Sequence, residues 1–540
     1  MFIPKSIVCL KNYSWKKFNA DLLAGLVVGL VALPLAMAFA IASGLPPERG
    51  IYTAVVAGFI ISALGGSRVA IGGPTGAFVV IVGGIAAKYG YDGLAIATGM
   101  AGLILILMGL MRLGTFIKFI PYPVITGFTT GIAVIIFSSQ VKDFLGLTLA
   151  SVPADFLEKW AVYFQNLSSI NFYALGIGFF TVGLVGFWPK GWRIPGTIIA
   201  LILVSLAAFY WHWPVETIGS RFGGIPQGLP APHFVLGSWD QLKLLLPASI
   251  TIAMLAAIES LLCAVVADGM IGGKHKSNME LIAQGIANCV SPMFGGIPAT
   301  GAIARTATNV KNGGRTPIAG MIHALVLLII LLTAGPLAGH IPLAALAGIL
   351  VIVSYHMSEW RSIRFIFSGS TSDVMVLLIT FLLTVLVDLT VGVGVGLVLA
   401  SFLFMGQMAQ ITHVKALNDE NDGESLKGLN IPEDVEIYSI HGSFFFGAAN
   451  KLMEAESALF KTPRALILEM SGILFLDTSG LKVLEQIHRR CAETKTRLVL
   501  VGIHAQPMMV FQKSNQFEVF GEDNFKGDLK EAISSIGQLR

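Results

Sequence analysis

Residues 22–47 carry no charged side chain before Glu48, and residues 244–267 carry only Glu259. A helix of about 20 apolar residues spans the hydrocarbon core of a bilayer. Lipid offers no partner to a backbone amide, so such runs can fold only as helices that pair their own peptide groups. The first run is expected to be a span, not a cleaved leader: it is too long, and a second apolar run follows directly after the turn Leu45-Pro46-Pro47. Composition agrees. Of 540 residues 54% are hydrophobic and 13% charged, against about 25% charged in a soluble domain. Sixty glycines suit close helix packing in lipid.

About fourteen segments qualify, at 21–43, 51–65, 68–88, 93–111, 121–140, 172–188, 195–211, 244–267, 278–292, 297–310, 316–335, 343–356, 371–387 and 389–407. Basic residues recur at alternate turns. Lys5, Lys11, Lys16 and Lys17 precede the first span, and Arg68, Arg112 with Lys118, Lys190 with Arg193, Lys274 with Lys276, Lys311 with Arg315, and Arg361 with Arg364 follow the even-numbered ones. Positive residues favour the cytoplasmic side, so both ends of the membrane part are expected there. The modest net charge of +4 gives no case for a nucleic-acid partner. Cys9, Cys263, Cys289 and Cys491 lack metal-ligand spacing.

One phrase occurs twice. Gly72-Gly73-Pro74-Thr75-Gly76-Ala77 is echoed by Gly295-Gly296-Ile297-Pro298-Ala299-Thr300-Gly301-Ala302, which begins 223 positions later (295 − 72). Paired Gly/Pro interruptions in two hydrophobic halves point to a transporter built from repeats, with its site at the breaks. Each break exposes a half-helix N-terminus, with unpaired N–H groups and about half a positive charge. The same offset matches Glu259 to Ala36, so span eight corresponds to span one and span ten to span three. Seven spans per half is odd, so the halves must be inverted. After residue 410 the composition becomes polar. Residues 411–434, with Asp419, Glu420, Asp422, Glu424 and Lys427, read as a linker. Residues 435–540 read as a small α/β domain: strands at 435–446, 464–470 and 497–503, helices at 448–460 and 479–492.

Over nearly its whole length the chain resembles the SulP family of sulfate-permease-type anion transporters. The matching blocks are Leu33-Pro34 to Phe39 with Gly44-Leu45-Pro46-Pro47 and Gly50-Ile51-Tyr52, and Ser67-Arg68 to Pro74. Gly295 to Arg305-Thr306 follows, with Asn309 and Gly313-Gly314-Arg315-Thr316. Asp477-Thr478-Ser479-Gly480-Leu481 resembles the loop of a STAS domain, and 257–285 is similar to the bacterial branch that includes C4-dicarboxylate transporters. The resemblance implies a seven-plus-seven inverted repeat in residues 1–410, with a mobile core and a flatter gate, a cytoplasmic STAS domain and a homodimer. It implies an anion site at Phe39, Thr75, Gly76, Thr300, Gly301, Ala302, Ala304 and Arg305, with Glu259 beside it. Leu35 stands where many members have Gln, and Cys263 where sodium-coupled members would offer a hydroxyl.

A charge at mid-membrane costs several kcal/mol and marks function, so Glu259 is the expected coupling group, ahead of a purely structural acid. A proton is favoured over sodium because a thiol such as Cys263 is a poor ligand for a hard cation. Arg305 is open to three readings: pairing with the anion, pairing with Glu259, or reaching to the membrane face. Thr75 and Thr300 read as hydroxyl donors or helix caps, and Phe39 as a pocket wall or packing. Asp268 with Lys274-His275-Lys276 reads as a solvated turn, and His323 and His356 as local hydrogen-bonders. Ser479 reads as a capping position or a regulatory phosphorylation site. No nucleophile–base pair or phosphate loop suggests an enzyme. The expected function is secondary active transport of a small anion, a C4-dicarboxylate, sulfate or bicarbonate, by proton symport and an elevator-like motion. The alternatives are a sodium-coupled symporter, an anion channel or exchanger, a membrane sensor with a STAS output, and a nucleobase transporter. No cofactor beyond the coupling ion is expected; the partners are the anion, the bilayer, a second copy and a cytoplasmic protein at the STAS domain.

Overall fold

The computed structural model describes residues 3–537 except 12, 116–119, 150–151, 154, 190–191, 193–194, 236, 418–430 and 447–462. Lys118, Lys190, Arg193, the charged linker residues 419–427 and the helix expected at 448–460 lie outside the described residues. The chain forms two compact units, 1–397 and 398–540.

The first unit is helical. Its helices include α1 (Trp15–Ala42), α2 (Pro47–Leu64), α5 (Tyr122–Leu145), α6 (Phe172–Gly186), α7 (Gly196–Tyr210), α8 (Trp239–Ile271), α9 (Ser277–Val290), α10 (Ile303–Lys311), α11 (Ile318–Ala338), α12 (Leu343–Met357) and α13 (Thr371–Leu386), with α14 (Leu389–Ile411) running on into the second unit; further short helices such as Phe156–Gln165 lie between them. Helix Val79–Leu110 is broken by Gly90 at φ 71° into α3 (79–89) and α4 (91–110). These fourteen helices follow the fourteen expected segments in order. Among the described residues seven helices are long and apolar enough to cross a membrane by themselves, and α6, α7 and α13 are shorter apolar helices.

Local chemistry sets the ends. Ser238 and Gln241 form a reciprocal capping box at the start of α8, and Gly272 at φ 63° ends it. Pro46 and Pro47 start α2, where a missing N–H costs nothing. The helices pack as two bundles. One joins α1–α4 with α8–α11, and the other joins α5–α7 with α12 and α13. Small residues carry the closest crossings. A Cβ on Gly102 would lie 2.6 Å from the Gly285 carbonyl oxygen, and one on Gly285 2.6 Å from that of Gly102, so α4 and α9 touch backbone to backbone. Leu103, Leu107, Phe179, Leu206, Leu325 and Ile329 point outward, as side chains facing lipid must.

The second unit holds a five-stranded sheet: β3 (His413–Ala416), β4 (Val435–Phe444), β5 (Ala465–Leu476), β6 (Arg497–Val501) and β7 (Phe525–Lys526), in that order. The four later strands are parallel, and β3 pairs antiparallel with β4, His413 opposite His441. A parallel sheet is covered on both faces, and alternate residues divide accordingly. Leu466 and Leu468 pack with Leu484 and Ile487 of α15 (Thr478–Glu493), while Ile467 and Val499 pack with Ala532 and Ile536 of α16 (Leu529–Gly537). Strand β3 lies inside the stretch expected to be linker.

Candidate functional site at the two broken spans

The two interruptions meet. β1 (Gly72–Gly73) and β2 (Thr300–Gly301) pair antiparallel, Gly72 opposite Gly301 and Gly73 opposite Thr300. The Ala302 N–H donates to the Ile71 carbonyl at 2.7 Å. Antiparallel breaks at the centre are what an inverted repeat requires. A 3-10 turn at Gly76–Phe78 leads into α3, and Ala302 precedes α10; neither start has a side-chain cap. Among the described residues the N–H groups of Gly76, Ala77, Ile303, Ala304 and Arg305 find no acceptor, and such N–H groups bind anions.

Gly73 has φ 148°, a conformation L side chains rarely adopt, and a Cβ there would sit 2.5 Å from Arg305 Nη1. Arg305 is buried, 2% exposed. Its Nη2 donates to the Pro74 carbonyl, bridging one break to the other, and its Nη1 has no partner. It does not reach the membrane face, and it makes no direct ion pair with Glu259, though the two charges interact. Thr75 is not a cap: its hydroxyl donates to Glu259 Oε2 at 2.9 Å. Glu259 is half-buried and keeps some accessible surface. Phe39 and Gly76 are neighbours; a Cβ on Gly76 would lie 3.3 Å from Phe39 Cε1 and 2.6 Å from Ile136 Cδ1 of the other bundle.

Thr300 turns away from this space, donating to the Ala256 carbonyl at 3.1 Å. Gly301 packs β2 on α8, where a Cβ would sit 3.0 Å from Cys263 Cβ. Ala302 is buried and Ala304 exposed. The Cys263 thiol lies 3.2 Å from the Thr306 hydroxyl, which accepts the Ile71 N–H at 2.9 Å. Ser479 is the second residue of α15; the cap is Asp477, which accepts the Gly480 N–H at 2.7 Å.

The local contact expected of His323 is present in looser form: the fully buried ring interacts with the Gly320 backbone one turn back, outside strict hydrogen-bonding geometry. The turn at Asp268–His275 is not merely solvated. His275 Nδ1 lies 2.7 Å from Asp268 Oδ2, and Ser277 Oγ lies 2.9 Å from His275 Nε2. This chain closes the turn between α8 and α9, where the His275 N–H also donates to Asp268.

Several groups that hold the breaks are not among the predicted residues. Asn288 on α9 brackets Ala299, donating to its carbonyl and accepting its N–H, both at 2.8 Å. The Thr53 hydroxyl accepts the Ile297 N–H at 2.6 Å. Arg49 donates to the Gly295 carbonyl at 3.1 Å and lies over the Tyr91 ring, 3.3 Å from its centroid. Buried Glu280 accepts the N–H groups of Gly66 at 2.8 Å and Ser67 at 3.0 Å, on the approach to β1. Buried Asp21 accepts the N–H groups of Arg315 at 2.9 Å and Thr316 at 3.2 Å, the Thr316 hydroxyl, and the Tyr13 hydroxyl at 3.0 Å. Burial and the Asp21 charge push the Tyr13 phenol up to about 12, so it stays a donor. Asp21 and Glu280 carry the signal that singled out Glu259, an isolated acid in an apolar stretch. Their position near helix ends hid it.

The Sulfate permease family model matches residues 18–380, and the STAS domain model matches 429–532. The chain is 44% identical over 528 residues to the "Putative sulfate transporter YvdB" of Bacillus subtilis, covering 95% of this chain and 97% of that protein. It is 32% identical to the bicarbonate transporter BicA of Synechocystis, covering 97% and 96%. The solved transmembrane domain of a cyanobacterial BicA aligns with TM-score 0.63 and 33% identity over 72% of this chain and 98% of that one. The overall structure of SLC26A9 aligns with TM-score 0.86 at 19% identity, over 98% and 92%, a likeness of fold. The chain belongs to the sulfate permease family: it is a multi-pass membrane anion transporter with a C-terminal STAS domain, not an enzyme.

Proposed function

We propose that this transporter is a secondary active importer of a compact oxyanion, sulfate or bicarbonate, driven by a co-transported proton. The observation that carries the reading is the Thr75–Glu259 hydrogen bond of 2.9 Å, which ties the one acid of an apolar run to the start of a broken helix. The anion is held by the free N–H groups at Gly76–Ala77 and Ile303–Arg305 and by Arg305 Nη1, the guanidinium nitrogen left without a partner. Helix ends and a guanidinium strengthen each other where water is scarce. One cation suits one centre of negative charge. A C4-dicarboxylate such as succinate or fumarate would need a second cation for its far carboxylate, so it ranks below sulfate and bicarbonate.

Glu259 alternates between a protonated and an ionised form, and binding of anion and proton is coupled through Thr75 and the Arg305 charge. The bundle α1–α4 with α8–α11 carries the site past the bundle of α5–α7, α12 and α13 in an elevator-like movement. A sodium-coupled cycle is the second reading. It is disfavoured by Cys263, whose thiol faces the Thr306 hydroxyl where a hard cation would want oxygen. The alternating basic turns support cytoplasmic termini in a bacterial inner membrane. A homodimer, and a protein that binds the STAS domain, complete the proposal.

A competition panel in proteoliposomes tests substrate and coupling together. Labelled sulfate uptake is measured against bicarbonate, succinate, fumarate and aspartate, under an imposed pH gradient, a sodium gradient, or neither. The proposal expects sulfate or bicarbonate to compete best and the pH gradient to drive accumulation. Accumulation driven by sodium alone supports the second reading. Flux that never exceeds equilibrium under any gradient points to a channel or exchanger.

A further inference from the structure

A cavity of about 930 Å³ opens between the two bundles at the end of the unit where α1 and α5 finish. Its wall includes Ile41, Val79 and Ile135, chain neighbours of Phe39, Gly76 and Ile136, which meet at the break. The cavity therefore leads toward the anion site without containing it. Its rim is charged. Lys88, Lys142, Lys159 and Arg221 face three carboxylates, Asp143, Asp155 and Asp388.

These cations are not equivalent. Arg221 is already paired, with Asp143 at 2.8 Å and with Glu216. Lys142 donates to the Leu149 carbonyl at 3.4 Å. Lys88 lies 5.1 Å from the centroid of the Tyr89 ring. Lys159 has no hydrogen-bond or ion-pair partner among the described residues, although its side chain is half-buried. It sits on the short helix Phe156–Gln165, one turn before Tyr163. Tyr163 lines the same cavity, is 2% exposed, and its hydroxyl has no partner. The helix is fixed in place: Asp155 caps it, and Trp160 Nε1 donates to Ser138 Oγ of α5 at 3.1 Å. The Asp155 and Asp143 carboxylates act on these two groups only through their charge, without a hydrogen bond, so a desolvated ammonium and a phenol one turn apart on an anchored helix keep their donors free for an acceptor from the cavity. Burial lowers the Lys159 ammonium below its usual range and raises the Tyr163 phenol, so the phenol remains a donor.

We propose that Lys159 and Tyr163 form a docking site where a small oxyanion, sulfate-like or bicarbonate-like, is captured before it moves to the broken helices. The site rests on the anion-transport reading and extends it to the path of entry. Lys142 and Lys88, neither of them in an ion pair among the described residues, add positive field on the same cavity wall.

The test is uptake from the cavity side as a function of substrate concentration, for wild type, Lys159→Gln, Lys159→Arg, Tyr163→Phe and the double variant Lys159→Gln/Tyr163→Phe. Each variant is checked for a monodisperse gel-filtration profile. Lys159→Gln and Tyr163→Phe should raise KM about three- to tenfold at low ionic strength and leave kcat within about twofold, since the site steers capture and not translocation. Lys159→Arg should retain the wild-type KM. The Lys159→Gln difference should fade in inert salt near 0.5 M, where the Debye length falls to about 4–5 Å, while that of Tyr163→Phe, the loss of a neutral donor, should persist. KM unchanged in Lys159→Gln, in Tyr163→Phe and in the double variant overturns the proposal. So does a fall in kcat at constant KM, or a Lys159→Gln effect on KM that salt leaves intact. A wild type that carries neither anion defeats the functional reading itself, an outcome distinct from wild-type transport that the substitutions leave untouched.

Discussion

Gly73 is where the fold and the anion site depend most on one hydrogen atom. Replacing it with alanine forces a non-glycine residue to φ 148° and places a methyl 2.5 Å from Arg305 Nη1. The backbone strain is of order 1–3 kcal/mol. The methyl must also push the guanidinium off the Pro74 carbonyl, and a buried hydrogen bond to a charged group contributes roughly 1.5–3 kcal/mol. The two effects together reach about 2.5–6 kcal/mol, shared between lower stability and a displaced Arg305. Gly84 is the matched control: it lies in α3, and a Cβ there meets nothing within 4 Å. Gly84→Ala should be neutral or stabilising by up to about 1 kcal/mol. Two assays read the contrast, thermal unfolding of the purified protein and initial sulfate uptake in proteoliposomes. Gly73→Ala should lower the midpoint by several degrees and cut uptake at least tenfold, while Gly84→Ala matches wild type in both. Wild-type uptake and midpoint in Gly73→Ala would refute the claim that β1 is held against Arg305 by the absence of a side chain.

The other predictions concern separate parts of the molecule. Arg305→Gln should fold, keep a bond to the Pro74 carbonyl, and raise the anion KM by about tenfold or more through loss of a charged contact of roughly 1.5–3 kcal/mol; an unchanged KM removes the guanidinium from the site. Asp21→Ala strands the N–H groups of Arg315 and Thr316, each worth about 1–3 kcal/mol when buried unpaired. It should lower the unfolding midpoint and the yield while the purified fraction keeps the wild-type KM; a changed KM would place Asp21 in the transport machinery. Ending the chain at residue 411 should leave measurable flux and a soluble detergent preparation. Ending it at 434 keeps β3 without its partner β4 and should aggregate, because an exposed edge strand recruits other strands. Loss of all flux in the shorter chain would favour the sensor reading.

The sequence revealed most where a signal was local. Apolar length located the unbroken helices closely, and the repeated Gly-Pro phrase located both breaks; the two broken spans start later than expected, at Val79 and Ile303, because the breaks themselves are extended and not helical. The extended ladder of β1 and β2 was not legible, because its partners lie more than 220 residues apart and each strand is two residues long. The same distance hid the scaffold: Asp21 bonds the turn at Arg315, Glu280 bonds Gly66 and Ser67, and Thr53 bonds Ile297. Each of these side chains caps another segment's backbone, and no periodicity announces that. Strand β3 was read as linker because four residues with polar neighbours carry little pattern.

The central claim is that Glu259 couples the anion to a proton. The most direct measurement is sulfate or bicarbonate accumulation in proteoliposomes under an imposed pH gradient, wild type against Glu259→Gln, with Thr75→Val alongside to remove the hydroxyl that holds the acid. Wild type should accumulate the anion above equilibrium, while Glu259→Gln still exchanges it but no longer concentrates it. Full gradient-driven accumulation by Glu259→Gln would show that this carboxyl is not the coupling group.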